Sequence, residues 1–221
     1  MCGRYSFFTK DEVIESRFKA SFMFPIQRHY NAAPSQLLPI ILNNDPEHIT
    51  AGKWGLTTSW MNKKGLHPLI NARVETVSEK PSFKQSFSKR RCLVIADNFF
   101  EWSRQSNIKI PFRILLKDEQ PFAFAGIFEL LKLSSGVVIP TFTIITVPAN
   151  ELVAPLHDRM PAILSKDHES LWIDPKAPYE AAKSVCKPYA EEKMKMYEVS
   201  PLVNSVKHDE PRIIQPIQKL L

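Results

Sequence analysis

The sequence predicts a single β-dominated domain of the α+β class. Short runs rich in Val, Ile, Phe, Leu and Thr recur along the chain, each bounded by Pro, Asn, Asp, Ser or Gly. Helical patterns are few and brief. Eighteen prolines against six glycines suggest many rigid turns between short elements. The 221 residues suit one large domain, and no linker or repeat divides them. We therefore treat 1–221 as one unit, with roughly 207–221 as a C-terminal tail of no readable role.

A chain of this length can bury most of its apolar surface without covalent staples. Cys2, Cys92 and Cys186 form an odd, widely spaced set with no CxxC pair. That argues against a disulfide framework and a structural zinc site, and no motif calls for a metal or cofactor. No apolar run is long enough to span a bilayer, and the N-terminus lacks a signal-peptide layout, so no membrane partner is expected. A reducing, cytoplasmic and nucleoid-associated setting follows as the expectation. The net charge of +6 fits a polyanionic partner, although it fits a basic protein without one too.

In chain order, Tyr5 to Phe8 reads as an aromatic strand. Thr9 and Glu12 have capping-box spacing ahead of a helix with Val13, Ile14 and Phe18 on one face. Leu37 to Leu42 and Ile49 to Leu56 read as a hairpin around Asn43-Asn44-Asp45-Pro46. Pro81 to Phe87 reads as a short helix, and Arg91 to Ala96 as a buried strand holding an inert Cys92. Ile110 to Leu116, Pro121 to Leu130 and Val137 to Val147 are further strands. Asn150 is a candidate N-cap for a short helix, and Ser165 for one carrying Leu171 and Trp172. An Ala-rich helix within 177–186 and a strand over 194–200 complete the set.

Several stretches carry chemistry. Removal of Met1 would leave Cys2 with a free α-amine and a thiol on adjacent carbons. The amine can condense with an aldehyde, and the thiol can then close a five-membered thiazolidine. Arg4 places a positive charge nearby, which favours thiolate and suits a phosphate. Asn71 and Arg73 alternate with Ile70 and Ala72, so they share a face. They suit a reacting group with a neighbouring phosphate, or equally a solvated edge with an Arg73–Glu75 ion pair. The run Lys89-Arg90-Arg91 is a solvated face or a phosphate track. Glu101 stands among Phe99, Phe100 and Trp102, where apolar surroundings would raise its pKa toward that of a general acid/base; an exposed edge position is as compatible. His157, in a loop between Pro155 and Pro161, can move protons near neutral pH, or simply donate to a carbonyl; Arg159 beside it can take a phosphate. Trp54 and Trp60 are core anchors, or one of them is a platform for a nucleobase.

Taken together, Met1-Cys2-Gly3-Arg4, Asn71-Ala72-Arg73-Val74-Glu75-Thr76, Phe99-Phe100-Glu101-Trp102 and His157-Asp158-Arg159-Met160-Pro161 resemble the SRAP family (SOS-response-associated peptidase domain). Asn31-Ala32-Ala33-Pro34, Trp54-Gly55-Leu56 with Trp60, Thr143-Ile144-Ile145-Thr146 and Val203-Asn204 look like its minor motifs. The resemblance covers nearly the whole chain. It implies a single SRAP domain, a curved barrel-like β-sheet with peripheral helices. It also implies recognition of abasic sites in single-stranded DNA and covalent attachment to them. In that scheme Cys2 is the nucleophile, Asn71 positions it, Glu101 is general acid/base and His157 assists proton transfer. Arg4, Arg73 and Arg159 clamp phosphates, Trp60 and Pro34 wedge against bases, and Thr146 and Met160 complete the DNA-binding set. The implied partner is abasic single-stranded DNA, with replication-fork proteins as further candidates and a monomer as the working state. Two departures stand out. Thr57 or Thr58 replaces a frequent Pro, and Asn98 replaces a frequent Gly in what reads as a turn before Glu101.

Two other readings compete. An N-terminal-cysteine hydrolase, a peptidase or amidotransferase, would use Cys2 on an amide with His157 or the α-amine as base. A non-catalytic single-strand binder would use the same arginines without needing Cys2.

Overall fold

The computed structural model describes residues 2–105 and 108–217, the side chains of 104, 105 and 108 excepted. In order the strands are β1 (Tyr5–Phe7), β2 (Ser21–Phe22), β3 (His29–Ala32), β4 (Leu37–Leu42), β5 (Asp45–Trp54), β6 (Asn71–Arg73) and β7 (Arg91–Ala96). They continue as β8 (Asn98–Gln105), β9 (Ile108–Leu116), β10 (Phe122–Lys132), β11 (Val138–Pro148), β12 (Arg159–Pro161), β13 (Ile163–Leu164) and β14 (Met194–Glu198). The helices are α1 (Asp11–Phe18), α2 (Ser59–Lys63), α3 (Lys84–Lys89), α4 (Lys166–Ile173) and α5 (Tyr179–Ser184).

Five strands close on themselves. The order β11-β10-β7-β4-β5 runs antiparallel, and β5 then pairs parallel with β11 through Lys53↔Thr141 and Trp54↔Phe142. This is the barrel-like sheet that the resemblance implies. A five-stranded barrel has a narrow interior, so residues that fill it must alternate large and small. Gly126 is one small position: a Cβ there would lie 2.7 Å from Val94 Cγ2 and 2.8 Å from Cys92 Sγ. Trp54, Phe124 and Phe142 are fully buried.

A second sheet, β14-β9-β8-β1-β3, leans on this barrel. Tyr5 of β1 joins the two, its ring 5.0 Å from Trp54 and 5.7 Å from Phe124. The N-terminal strand is therefore anchored by aromatic packing rather than left as a free end.

Several local expectations are corrected. Helix α1 starts at Asp11, not Thr9, because the Thr9 hydroxyl donates to Asp97 (2.5 Å) and is lost as a cap; Val13 faces solvent. The β4–β5 turn is only Asn43-Asn44, and Asp45 and Pro46 belong to β5. Asn150 Oδ1 does accept the Val153 N–H (3.0 Å), but turns follow instead of a helix. Ser165 is the N-cap of α4 without a side-chain bond. Arg159-Met160-Pro161 is strand β12, paired with β11, rather than loop. Asn98 is extended within β8 and needs no left-handed conformation. Within 207–217, Ile213 and Ile214 are buried beside Phe100, Val199 and Val203.

The basic run is not a phosphate track as a whole. Arg91 has no solvent exposure, and its guanidinium donates to the carbonyls of Trp172 and Asp174, both at 2.6 Å, at the C-terminal end of α4. Arg90 pairs with Glu129 at 2.5 Å. The desolvated cation is held by carbonyl dipoles where a helix end is negative.

Candidate active site

Strand β1 lies between β8 and β3, with Tyr5 opposite Phe99 and the Phe100 N–H donating to the Arg4 carbonyl (3.0 Å). That register carries the residues before Tyr5 along β8 toward Glu101. Cys2 is fully buried. Asn71 opens β6, which runs parallel to β11 with Asn71 opposite Ile144. Its Nδ2 donates to the Cys2 carbonyl at 2.7 Å, while its Oδ1 is buried without a partner. Amide and cysteine, 69 positions apart in sequence, are thus joined.

Glu101 is only 4% exposed, and burial pushes its carboxyl above the usual carboxylate range. Burial also drives the Cys2 thiol far up, and the Glu101 charge adds to this. The expectation that Arg4 favours thiolate is corrected: desolvation dominates, and the thiol is neutral at physiological pH. Arg4 is otherwise engaged, its Nη1 donating to Asn31 Oδ1 (2.6 Å) and the Val203 carbonyl (2.8 Å).

A cavity of about 390 Å³ opens here, lined by Arg4, Glu101, Trp102, Lys109, Leu156, His157 and Asn204. His157 Nδ1 accepts the Arg159 N–H at 3.0 Å, and Asp158 Oδ1 stands 2.7 Å from the same nitrogen. The backbone donor needs a bare Nδ1, and the carboxylate a protonated one.

The remaining candidates divide. Arg73 is exposed on β6, flanking buried Ala72 as the alternation predicts. Glu75 bonds Arg159 rather than Arg73, through two contacts of 2.5 and 2.9 Å, and Arg159 Nη2 also donates to the Thr146 carbonyl (2.6 Å). Arg159 is thus a structural cation, not a free phosphate clamp. Thr146 and Met160 are fully buried, which corrects their placement at a DNA surface: Thr146 lies inside the β6–β11–β12 pairing, and Met160 Sδ accepts the Asn150 N–H (3.4 Å). Pro34 is half-buried in the turn after β3. Trp60 is 43% exposed and lines a separate cavity of about 360 Å³ with Lys63, Ser82 and Gln85. The absent Pro before it is replaced by a cap, Thr58 Oγ1 accepting the Met61 N–H (3.3 Å).

Besides Leu156, sequence reasoning passed over three lining residues. Trp102 stood in the Glu101 motif but was read only as apolar surroundings. Asn204 stood in a minor motif without a role. Lys109 carried no signal at all. Trp102 Nε1 donates to Asn204 Oδ1 (2.6 Å), so two of them form one wall.

A closed barrel with a second sheet leaning on it, and a buried Cys2 just ahead of that sheet's first strand beside the buried Glu101 and a cavity with Arg4 and Lys109, define the class of protein. The chain belongs to the family described as SOS response associated peptidase (SRAP), whose model matches residues 1–206. Among curated relatives, "Abasic site processing protein YoqW" of Bacillus subtilis is 40% identical over 97% of this chain and 99% of its own length. "Abasic site processing protein YedK" of Escherichia coli is 33% identical over 87% of this chain and 86% of its own length. The crystal structure of a protein from Bacteroides thetaiotaomicron superposes with a TM-score of 0.87 at 29% identity, covering 98% of this chain and all of that one.

Proposed function

We propose that this chain processes abasic sites by binding single-stranded DNA that contains them and forming a thiazolidine through the α-amine and thiol of Cys2 after Met1 is removed. Met1 itself lies outside the described residues. The observation that carries the reading is the convergence at Cys2. Asn71 holds its carbonyl at 2.7 Å, burial and then the charge of nearby Glu101 push its thiol up, and a cavity with Arg4, Lys109 and His157 opens beside them. The curated relatives' names point to the same class of substrate.

Each step balances within that geometry. An abasic site is a hemiacetal in equilibrium with an open aldehyde and has no base to extrude. Glu101 and His157 are the groups that can accept and return protons as the ring opens. The amine adds to the aldehyde carbon and water leaves, giving an imine. The neutral thiol then adds across the C=N bond, sulfur to carbon and hydrogen to nitrogen. Holding sugar and cysteine together makes the condensation intramolecular in effect.

The test is denaturing electrophoresis with a uracil-containing oligonucleotide, with and without uracil glycosylase. The wild-type chain should give a denaturant-resistant adduct only after glycosylase. Cys2→Ala and Cys2→Ser keep the α-amine but lose the thiol, so each should give only an adduct that needs borohydride to survive denaturation. A denaturant-resistant adduct formed by Cys2→Ala without borohydride, or a purified chain whose intact mass retains Met1, would refute the scheme. Glutamine or peptide hydrolysis without any adduct would instead favour the hydrolase reading.

A further inference from the structure

Beyond the residues that face the cavity, one buried side chain ties its walls together. Asn31 is 1% exposed, and both ends of its side-chain amide and its backbone N–H are engaged. Its Oδ1 accepts Arg4 Nη1 at 2.6 Å. Its Nδ2 faces the carbonyls of Val203 (3.2 Å), Ser205 (3.0 Å) and His208 (2.7 Å). Its backbone N–H donates to Asp209 Oδ1 (2.8 Å), whose other oxygen meets His29 Nδ1 (2.7 Å). The Val203 carbonyl also accepts Arg4 Nη1, which closes a triangle of Arg4, Asn31 and Val203. The next residue, Asn204, holds Trp102.

A carboxamide is the one side chain of this size that can accept from a guanidinium and donate to several carbonyls at once. Carboxylate lacks the donors, and an aliphatic group lacks both. We propose that Asn31 is a positioning residue: it fixes the Arg4 guanidinium and the 201–209 segment against each other, so that Arg4 and Asn204 line the cavity in one arrangement. This inference rests on the DNA-binding reading above.

The test is a double-mutant cycle with Arg4→Ala, Asn31→Ala and the pair. Binding is read by fluorescence anisotropy on a single-stranded oligonucleotide carrying an unreactive tetrahydrofuran site, across a salt series. If Asn31 acts through Arg4, Asn31→Ala makes the log Kd against log salt slope shallower by about 0.7, the contribution of one phosphate contact on single strands. The double variant then binds no more weakly than Arg4→Ala alone. A wild-type slope in folded Asn31→Ala, or additive losses in the pair, would overturn the proposal. Should Asn31→Ala not fold, Asn31→Asp at the same volume replaces it in both the single and the paired variant. It removes the donors to the 201–209 segment and engages Arg4 ionically; unchanged affinity and slope would be equally fatal. The adduct gel on wild-type chain separates this failure from failure of the functional reading, since it asks nothing of Asn31.

Discussion

Replacing Arg91 by Met separates a structural cation from a nucleic-acid contact. The methionine keeps the apolar stem volume but leaves the carbonyls of Trp172 and Asp174 without their 2.6 Å donors, and removes longer contacts to Phe87, Ser88 and Ala177. An orphaned buried acceptor costs about 1–3 kcal/mol, so the two close carbonyls alone represent roughly 2–6. Relief of the buried charge's desolvation offsets part of this, leaving a net loss of about 2–4 kcal/mol. For a chain of this length that corresponds to a fall in Tm of roughly 5–15 °C. Urea unfolding followed by far-UV circular dichroism should show a lower midpoint at unchanged slope. The salt dependence of DNA binding at a temperature where the variant is folded should match the wild type. An unchanged midpoint together with a shallower salt slope would refute the reasoning and return Arg91 to a phosphate track.

Other outcomes follow from the same structure. The thiols of Cys92 and Cys186 should resist Ellman's reagent in the folded chain and react on denaturation, since they are 0% and 6% exposed; rapid labelling of either before unfolding would contradict this. The hydrogen bond from Arg159 holds the Glu75 carboxyl below its ordinary value of 4.5. Its stabilisation is therefore present above that value and lost as pH falls through the depressed one. Because Glu75 is 45% exposed, the effect is at most about 1 kcal/mol, and Glu75→Gln should flatten this part of the stability–pH curve. Glu101→Gln should slow adduct formation by about 10²-fold or more and remove an ionisation from its pH–rate profile; a wild-type profile would exclude Glu101 as the acid/base. Arg73→Gln should make the DNA salt slope shallower by about 0.7, whereas Arg159→Gln should lower Tm first; the reverse pattern would exchange their roles.

The strands were legible because period-2 runs and turn residues are local signals, and most boundaries agree within a residue or two. The barrel closure was not, since the parallel β5–β11 pairing joins residues nearly ninety positions apart and leaves no mark in either segment. Asn71 was legible as a site residue by alternation, but its bond to Cys2 depends on long-range topology. Arg159 and Arg91 were misread for one reason. A sequence shows that a cation is present, not whether a carboxylate or a ring of carbonyls has already claimed it. Thr9 failed similarly, because Asp97 competes for its hydroxyl.

The buried, neutral state of the Cys2 thiol bears on the order of events in the proposed reaction. A thiolate would attack an aldehyde directly and give a hemithioacetal, which reverts easily. With the thiol held protonated by desolvation, the amine is the stronger nucleophile and adds first. The imine carbon it creates is then the electrophile nearest the sulfur, on the same residue. Addition of S–H across that bond needs no net proton from outside, so a thiol unreactive toward solvent oxidants is no obstacle to ring closure. Asn71 serves that order by holding the Cys2 carbonyl, which constrains the backbone on which both nucleophiles sit.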